Sequence, residues 1–167
     1  YIYDNPNPDL VFSVNSNLNA PGDLINKFIE KMARLEPGKH IKRFQLFTSA
    51  EAHGEQAEYI RHGMMYDLWL KNMERMIVEV PGVETTIMST YNLLSVPSYK
   101  QFLQDILNIR LKYRDQGLKY HKAPVLVDIP YLRWPEHQAC YIMSAELLHY
   151  VEEQVQFMED HRSEEHT

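Results

Sequence analysis

The chain has 167 residues, of which 44% are hydrophobic and 24% charged, so it can bury one hydrophobic core and is not a disordered chain. Its net charge of −6, without a long lysine or arginine run, excludes a nucleic-acid surface, because phosphate binding requires clustered positive charge. No apolar run approaches the roughly 20 residues that span a bilayer, and the single cysteine, Cys140, provides no disulfide framework; we expect a cytoplasmic protein without a membrane partner.

The two ends of the chain predict that it is a piece of a longer protein. It begins at Tyr1 on a run rich in proline and asparagine, which suits a loop between two elements. Residues 162–167 resemble the in-frame translation of a common sequencing adapter, although an ordinary charged tail has the same composition. We therefore expect residues 1–161 to be the C-terminal portion of a larger core and residues 162–167 to be adapter read-through.

Each of the first two segments reads as a strand followed by a helix. Residues 10–14 are apolar and β-branched, and residues 21–35 carry apolar side chains at three- and four-residue intervals before Pro37 stops the pattern. Residues 44–47 predict a second strand that ends in a polar rim. Residues 66–80 then predict a helix whose wide aromatic stripe is explained by core packing.

Two more strand–helix segments follow, with the same order of elements. Residues 83–88 predict a third strand, and the helix after it starts near Ser98 and closes at residues 115–117. Residues 125–129 predict the fourth strand, and residues 145–159 predict a last helix. That helix places four apolar side chains on one side: Leu148, Val151, Val155 and Met158.

These four units predict an α/β chain with parallel strands, because each helix must carry the chain back across the sheet. The strands are nearly uninterrupted in apolar residues, so we expect both faces of the sheet to be covered. An open doubly wound sheet and a section of a β/α barrel both fit; the lack of a glycine-rich phosphate loop favours the barrel. In either fold, polar side chains gather at the carboxyl ends of the strands: Asn15, Asn17, Ser49, Glu51, Ser89, Asn92 and Asp128.

Four segments of the chain resemble the radical S-adenosylmethionine enzymes, and most closely the twitch-domain subgroup, relatives of the SPASM peptide-modifying enzymes. The segments are FTSAE at 47–51, GEQAEYIRHG at 54–63, TIMSTYN at 86–92 and VDIPYL at 127–132. The resemblance covers about residues 10–137. It implies a four-unit section, strands three to six, of the family's six-stranded partial TIM-type barrel.

The resemblance also implies a binding site for S-adenosylmethionine. Ser49 corresponds to the serine that holds the methionyl carboxylate, and Arg61 corresponds to the arginine that shares this task. A guanidinium can hold a carboxylate in a two-bonded fork while a hydroxyl donates a further hydrogen bond. Glu51 belongs to the same rim, and Asn15 and Asn17 resemble the polar end of the third strand, which faces cofactor and substrate.

The remaining residues of the implied site lie at the ends of the last two strands. Ser89 and Asn92 correspond to positions that contact the ribose and adenine, and Ile129 lies where the family places the adenine. Structural roles remain open for the whole set. Ser49 and Glu51 are also suited to cap the following helix, and Asn92 to end a strand. Arg61 could instead be an exposed helix-entry residue paired with Glu58 or Asp67, and Asp128 a buried hydrogen-bond acceptor that braces a loop.

The chain departs from the family at the reactive centre. Family members hold a 4Fe-4S cluster with three cysteines in a CxxxCxxC loop after the first strand, and Cys140 alone cannot replace three thiolates. The glycine-rich segment of the second strand is missing as well. We expect the intact protein to cleave S-adenosylmethionine reductively to a 5′-deoxyadenosyl radical that abstracts hydrogen from an unidentified substrate, with a peptide as one candidate. This chain alone should be inactive.

Two other classes of function fit the composition. A metal-dependent barrel hydrolase or isomerase would use histidines and carboxylates at the rim, although no HExxH motif occurs. A non-catalytic α/β binding module would need no cluster. The candidate ligands of such a metal site are Glu51 with His53, His62, His121, and Glu136 with His137.

A barrel that begins at its third strand leaves the first predicted strand, residues 10–14, without a neighbour on one side. Unpaired backbone groups at a strand edge recruit other chains. We therefore expect the chain to associate with itself through this edge.

Overall fold

The computed structural model describes residues 1–115 and 123–162. The strands are β1 (Val11–Asn15), β2 (Arg43–Ser49), β3 (Val83–Met88) and β4 (Val125–Asp128). The helices are α1 (Gly22–Ala33), α2 (Gly54–Ile60), α3 (Tyr66–Glu79), α4 (Tyr99–Lys112) and α5 (Leu148–Asp160). The helix end predicted at residues 116–117, His121 and all but the first residue of the predicted read-through lie outside the described residues.

All four strands form one parallel sheet in the order β1, β2, β3, β4, so consecutive strands are neighbours throughout. Parallel neighbours cannot be joined by a tight hairpin, and helices supply the crossovers. The crossovers described contain α1 between β1 and β2, α2 and α3 between β2 and β3, and α4 before β4. The prediction of an α/β chain built from parallel strand–helix repeats is confirmed.

One face of the sheet carries the hydrophobic core. Phe44 and Leu46 of β2 and Ile87 of β3 have no exposed surface, and they share one buried cluster with Trp69 of α3 and Phe102 of α4. Successive side chains of a strand point to opposite faces, so these alternate positions define the face against which the helices pack. Burial of these side chains stabilises the fold by about 1.5–3 kcal/mol each.

The opposite face of the sheet is partly open, and the prediction that both faces are covered is wrong for the described residues. The Ser13 hydroxyl donates to Gln45 Oε1 at 3.0 Å, and Gln45 Nε2 donates to Glu84 Oε2 at 3.0 Å, so three strands are joined by polar side chains. On β4, Leu126 is 52% exposed on this face. In β2, Gln45 lies between the buried Phe44 and Leu46, which is the alternation of a strand with one solvated face.

Three helices differ from prediction at one end: α1 and α4 end earlier than predicted, and α5 begins three residues later, at Leu148. α1 stops at Ala33, and Leu35, which was predicted to lie in the helix, is buried in the turn that follows it. The polar rim after β2 leads first into the short helix α2, and Gly63 with φ of +83° makes the turn into α3. A left-handed backbone of this kind suits glycine, which has no β-carbon to clash. Arg61 therefore ends a helix instead of entering one.

The last helix, α5, packs with a different face from the one predicted. Leu148 and Val155 are 48% and 44% exposed, whereas Gln154 between them is buried. Gln154 Oε1 accepts a hydrogen bond from the Tyr91 hydroxyl at 2.7 Å, and its Nε2 donates to the Val96 carbonyl at 2.7 Å. These two bonds explain how an amide can occupy the inward side of the helix. Across the described ranges, none of the helices has the length and apolar character needed to cross a bilayer.

Candidate functional site

A small cleft lies where the carboxyl ends of β1 and β2 meet. Ser16 N–H donates to the Phe47 carbonyl at 2.9 Å, which continues the strand pairing past β1 and brings Asn17 towards Ser49. The cleft has a volume of about 130 Å³. It brings together three of the predicted site residues and four others: Asn17, Ser49 and Arg61 with Asn19, His62, Gly63 and Met64.

Arg61 is anchored in the cleft by Glu51. Its Nε donates to Glu51 Oε2 at 2.6 Å, and Glu51 is only 5% exposed. The two terminal nitrogens of the guanidinium make no hydrogen bond to any residue within 1–115 or 123–162. The Nε of Arg61 is thus fixed by the Glu51 carboxylate, and the N–H groups of the two terminal nitrogens remain for a ligand.

The partners predicted for Arg61 are wrong. Glu58 Oε1 accepts a hydrogen bond from the Tyr66 N–H at 2.8 Å, so it holds the start of α3, and Glu51 takes the arginine. The reason is that α2 ends at Ile60. Beyond that residue, the three- and four-residue spacing of a helix no longer decides which side chains meet.

Burial and ion pairing act on Glu51 in opposite directions. Loss of water around the carboxyl raises its pKa, while the hydrogen bond and charge of Arg61 lower it, and burial prevails, so the pKa of Glu51 lies above its ordinary value. An ionised Glu51 cancels the charge of Arg61. The pair is then close to neutral, and it still presents guanidinium donors to the cleft.

Neither Ser49 nor Glu51 caps the following helix, so that alternative is wrong. The N-cap of α2 is His53, and no side chain caps this end. The Ser49 hydroxyl has no hydrogen-bond partner among the described side chains and backbone groups. It can therefore donate to a ligand in the cleft that it shares with Arg61.

Ser89 and Asn92 are built into the fold. Ser89 has no exposed surface, and its hydroxyl lies 3.1 Å from the hydroxyl of Tyr99, whose pKa burial raises to about 12. Asn92 Nδ2 donates to the Thr90 carbonyl, and its Oδ1 accepts from the Leu94 N–H, both at 2.9 Å. These contacts use the polar atoms that the resemblance assigns to the ribose and adenine.

The other predicted positions lie outside the cleft. Asn15 is exposed at the end of β1, and Ile129 is 45% exposed and lines a separate apolar groove between α4 and α5. The proposal that Asp128 is a buried acceptor is wrong, because its side chain is exposed. The backbone carbonyl of Asp128 accepts a hydrogen bond from Ser89 N–H at 2.8 Å.

His53, Tyr66 and Asp105 form a second polar cluster, which the sequence does not predict. His53 Nδ1 lies 2.8 Å from Asp105 Oδ2, and the Tyr66 hydroxyl donates to the same oxygen at 2.8 Å. Burial and the charge of Asp105 raise the pKa of Tyr66, which keeps this hydroxyl protonated as a donor. The sequence places His53 beside Glu51, and no spacing in the chain indicates a contact with Asp105 on α4. Within the part of the chain that the structure describes, no three histidine, cysteine or acidic side chains form a metal-binding group.

The fold and the cleft define an α/β protein with a polar site at the carboxyl end of a parallel sheet. In comparisons of this chain with protein-family models, with curated proteins and with solved structures, nothing matches.

Proposed function

We propose that the chain is part of a radical S-adenosylmethionine enzyme core, corresponding to strands three to six of a partial TIM-type barrel. The strand order supports this proposal, since each strand pairs with the next along the chain. A β/α barrel has that order, whereas a doubly wound sheet reverses it at the point where ligands bind. The ligand site of both folds lies at the carboxyl ends of the strands, where the cleft is found.

The observation that carries the proposal is that Ser49 and Arg61 line the same cleft. The resemblance assigns these two residues to one task, the binding of the methionyl carboxylate. The guanidinium offers its terminal donors, and the Ser49 hydroxyl offers one more, which is the donor set a carboxylate requires. Asn17 adds a side-chain amide to the same cleft.

The residues present fit one end of the cofactor. A volume of about 130 Å³ is below the roughly 300–1,000 Å³ of pockets that enclose a whole ligand. The cleft therefore has room for the carboxylate end, and the proposal assigns the rest of the cofactor to parts of the protein outside it. A 4Fe-4S cluster does not fit this chain, because Cys140 is its only cysteine. In the intact enzyme the cofactor would supply radical chemistry; the role of this chain is to hold and orient its carboxylate.

The proposal is tested by nuclear magnetic resonance titration of the isotope-labelled chain with S-adenosylmethionine. We expect weak binding, roughly millimolar, equivalent to about 4 kcal/mol, with shifts at Ser49 and Arg61. Arg61→Gln should abolish these shifts, and Arg114→Gln, which changes an exposed arginine after α4, should leave them. 5′-Methylthioadenosine, which lacks the amino-acid end, should not produce them. Shifts that persist in Arg61→Gln, or no response at the cleft at millimolar ligand, would overturn the assignment.

A further inference from the structure

We propose that Glu51 makes the cleft selective for singly charged carboxylates over dianions such as sulfate and phosphate. This inference rests on the proposed carboxylate site and assigns to Glu51 a role that the resemblance does not. Glu51 is a positioning residue, since its contact is with Arg61 and the cleft is lined by its neighbours.

The first step of the argument is the charge of the site. Arg61 Nε lies 2.6 Å from the carboxylate of Glu51, which is only 5% exposed. The positive charge of Arg61 is therefore paired with a negative charge that is fixed in the fold. The other side chains that line the cleft are amides, a hydroxyl, a thioether and the imidazole of His62. Apart from that imidazole, the charge of Arg61 and the charge of its ionised anchor Glu51 cancel, so the site has no net charge.

The second step is the cost of bringing an anion to such a site. Removing an ion from water costs free energy that rises with the square of its charge. The neutral Arg61–Glu51 pair attracts the anion only at short range, and this attraction rises in proportion to the charge of the anion. A dianion therefore loses more than it gains relative to a carboxylate. Sites that hold dianions ordinarily supply several donors of positive charge, such as arginine clusters.

The third step is geometry. Glu51 holds Arg61 through Nε, so a ligand meets only the terminal nitrogens of the fork. Those donors lie in one plane, and a carboxylate accepts two of them side by side. The Ser49 hydroxyl in the same cleft adds a donor without adding charge. Glu51 thus fixes both the charge and the orientation of the donor set.

The test compares acetate with sulfate as ligands of the whole chain at one ionic strength. Resonance shifts at Ser49 and Arg61 report binding, and a mildly alkaline pH keeps ordinary imidazoles neutral. In the unmodified chain we expect acetate to bind more tightly than sulfate. Glu51→Gln should raise the affinity for sulfate relative to acetate about tenfold, equivalent to about 1.4 kcal/mol. The control Glu55→Gln removes an exposed carboxylate from the first turn of α2 and should leave the ratio unchanged.

The outcomes separate this inference from the proposed function. If acetate shifts Ser49 and depends on Arg61, but Glu51→Gln leaves the ratio as it was, the role of Glu51 is wrong and the carboxylate site stands. If neither anion shifts the cleft residues, the proposed function fails and the selectivity with it. If Glu51→Gln does not fold, the affinities of the unmodified chain for acetate and sulfate test the inference. Tighter binding of sulfate than of acetate overturns it.

Discussion

Glu51 affects both the stability of the fold and the proposed binding of a carboxylate by Arg61. Its carboxyl is buried, and the arginine it binds is partly exposed, with 36% of the side chain in contact with solvent. Burial prevails over the ion pair, so the pKa of Glu51 in the folded chain lies above its ordinary value of 4.5. A carboxyl with a raised pKa binds its proton more tightly in the folded state than in the unfolded state.

This raised pKa predicts how stability depends on pH. The contribution of Glu51 is fully present below its unfolded pKa, and it is lost as the pH rises through the higher folded pKa. The free energy of unfolding should therefore fall over this interval, relative to Glu51→Gln, and level off above it. Urea unfolding followed by fluorescence, in steps from about pH 4 to about pH 8, measures the difference. Glu55→Gln should follow the unmodified chain, and parallel profiles for Glu51→Gln and the unmodified chain would contradict the pKa direction.

The residues of the cleft were predictable only in part. The resemblance indicated Ser49 and Arg61, and the structure places both on one cleft. The pairing of Arg61 with Glu51 was not predicted, because helical spacing pointed to Glu58 or Asp67. The chain leaves the helix at Ile60 and turns at Gly63, and a turn of this kind sets side-chain contacts through backbone angles that no spacing rule provides. That Arg61 and Ser49 bind a cofactor stays a prediction.

At the scale of elements, α5 is attached to the rest of the fold by a polar side chain. Gln154 is buried and bridges the Tyr91 hydroxyl and the Val96 carbonyl, while Leu148, Val155 and Met158 on the same helix are at least 40% exposed. Burial also raises the pKa of Tyr91 to about 12, so the hydroxyl remains a donor to Gln154 over the ordinary pH range.

Gln154→Ala should loosen α5 more than the core of the sheet. The change leaves the Tyr91 hydroxyl and the Val96 carbonyl without their partner, at a cost of about 1–3 kcal/mol. Amide hydrogen exchange should accelerate in α5 and change less in β2 and β3. Gln156→Ala is the matched control, since Gln156 is exposed on the same helix and, among the described residues, its side chain bonds to Asp160 alone. Equal exchange in the two variants would contradict a docking role for Gln154.

Most elements were predictable because their periodicity is strong. α3 lies within one residue of its predicted limits, α4 begins within one residue of its predicted start, and β4 ends one residue before the predicted strand. The orientation of α5 was not predictable, because its apolar residues Leu148 and Val155 indicated the inward face and Gln154 occupies that face instead. An inward amide is stable only when specific partners meet it, and Tyr91 is distant in sequence.

At the scale of the whole molecule, the sheet has two outer strands within the described residues, β1 and β4. Val11 on β1 is 38% exposed, and Leu126 on β4 is 52% exposed. An outer strand presents unpaired N–H and C=O groups along its length. Backbone hydrogen bonding and apolar contact can then act together when a second chain approaches.

We therefore expect the chain to associate with itself through β1. Sedimentation velocity over a range of concentrations should show reversible association, since edge pairing adds backbone hydrogen bonds and covers Val11. Val11→Lys places a charge at the strand edge and should weaken association about tenfold, or about 1.4 kcal/mol. Leu24→Lys is the matched control, because Leu24 is 57% exposed and belongs to the helix α1 instead of the outer strand. An equal effect of both changes would indicate general hydrophobic association, and a monomer at every concentration would contradict pairing through β1. If Val11→Lys alone disperses the chain, the association uses the β1 edge of the sheet.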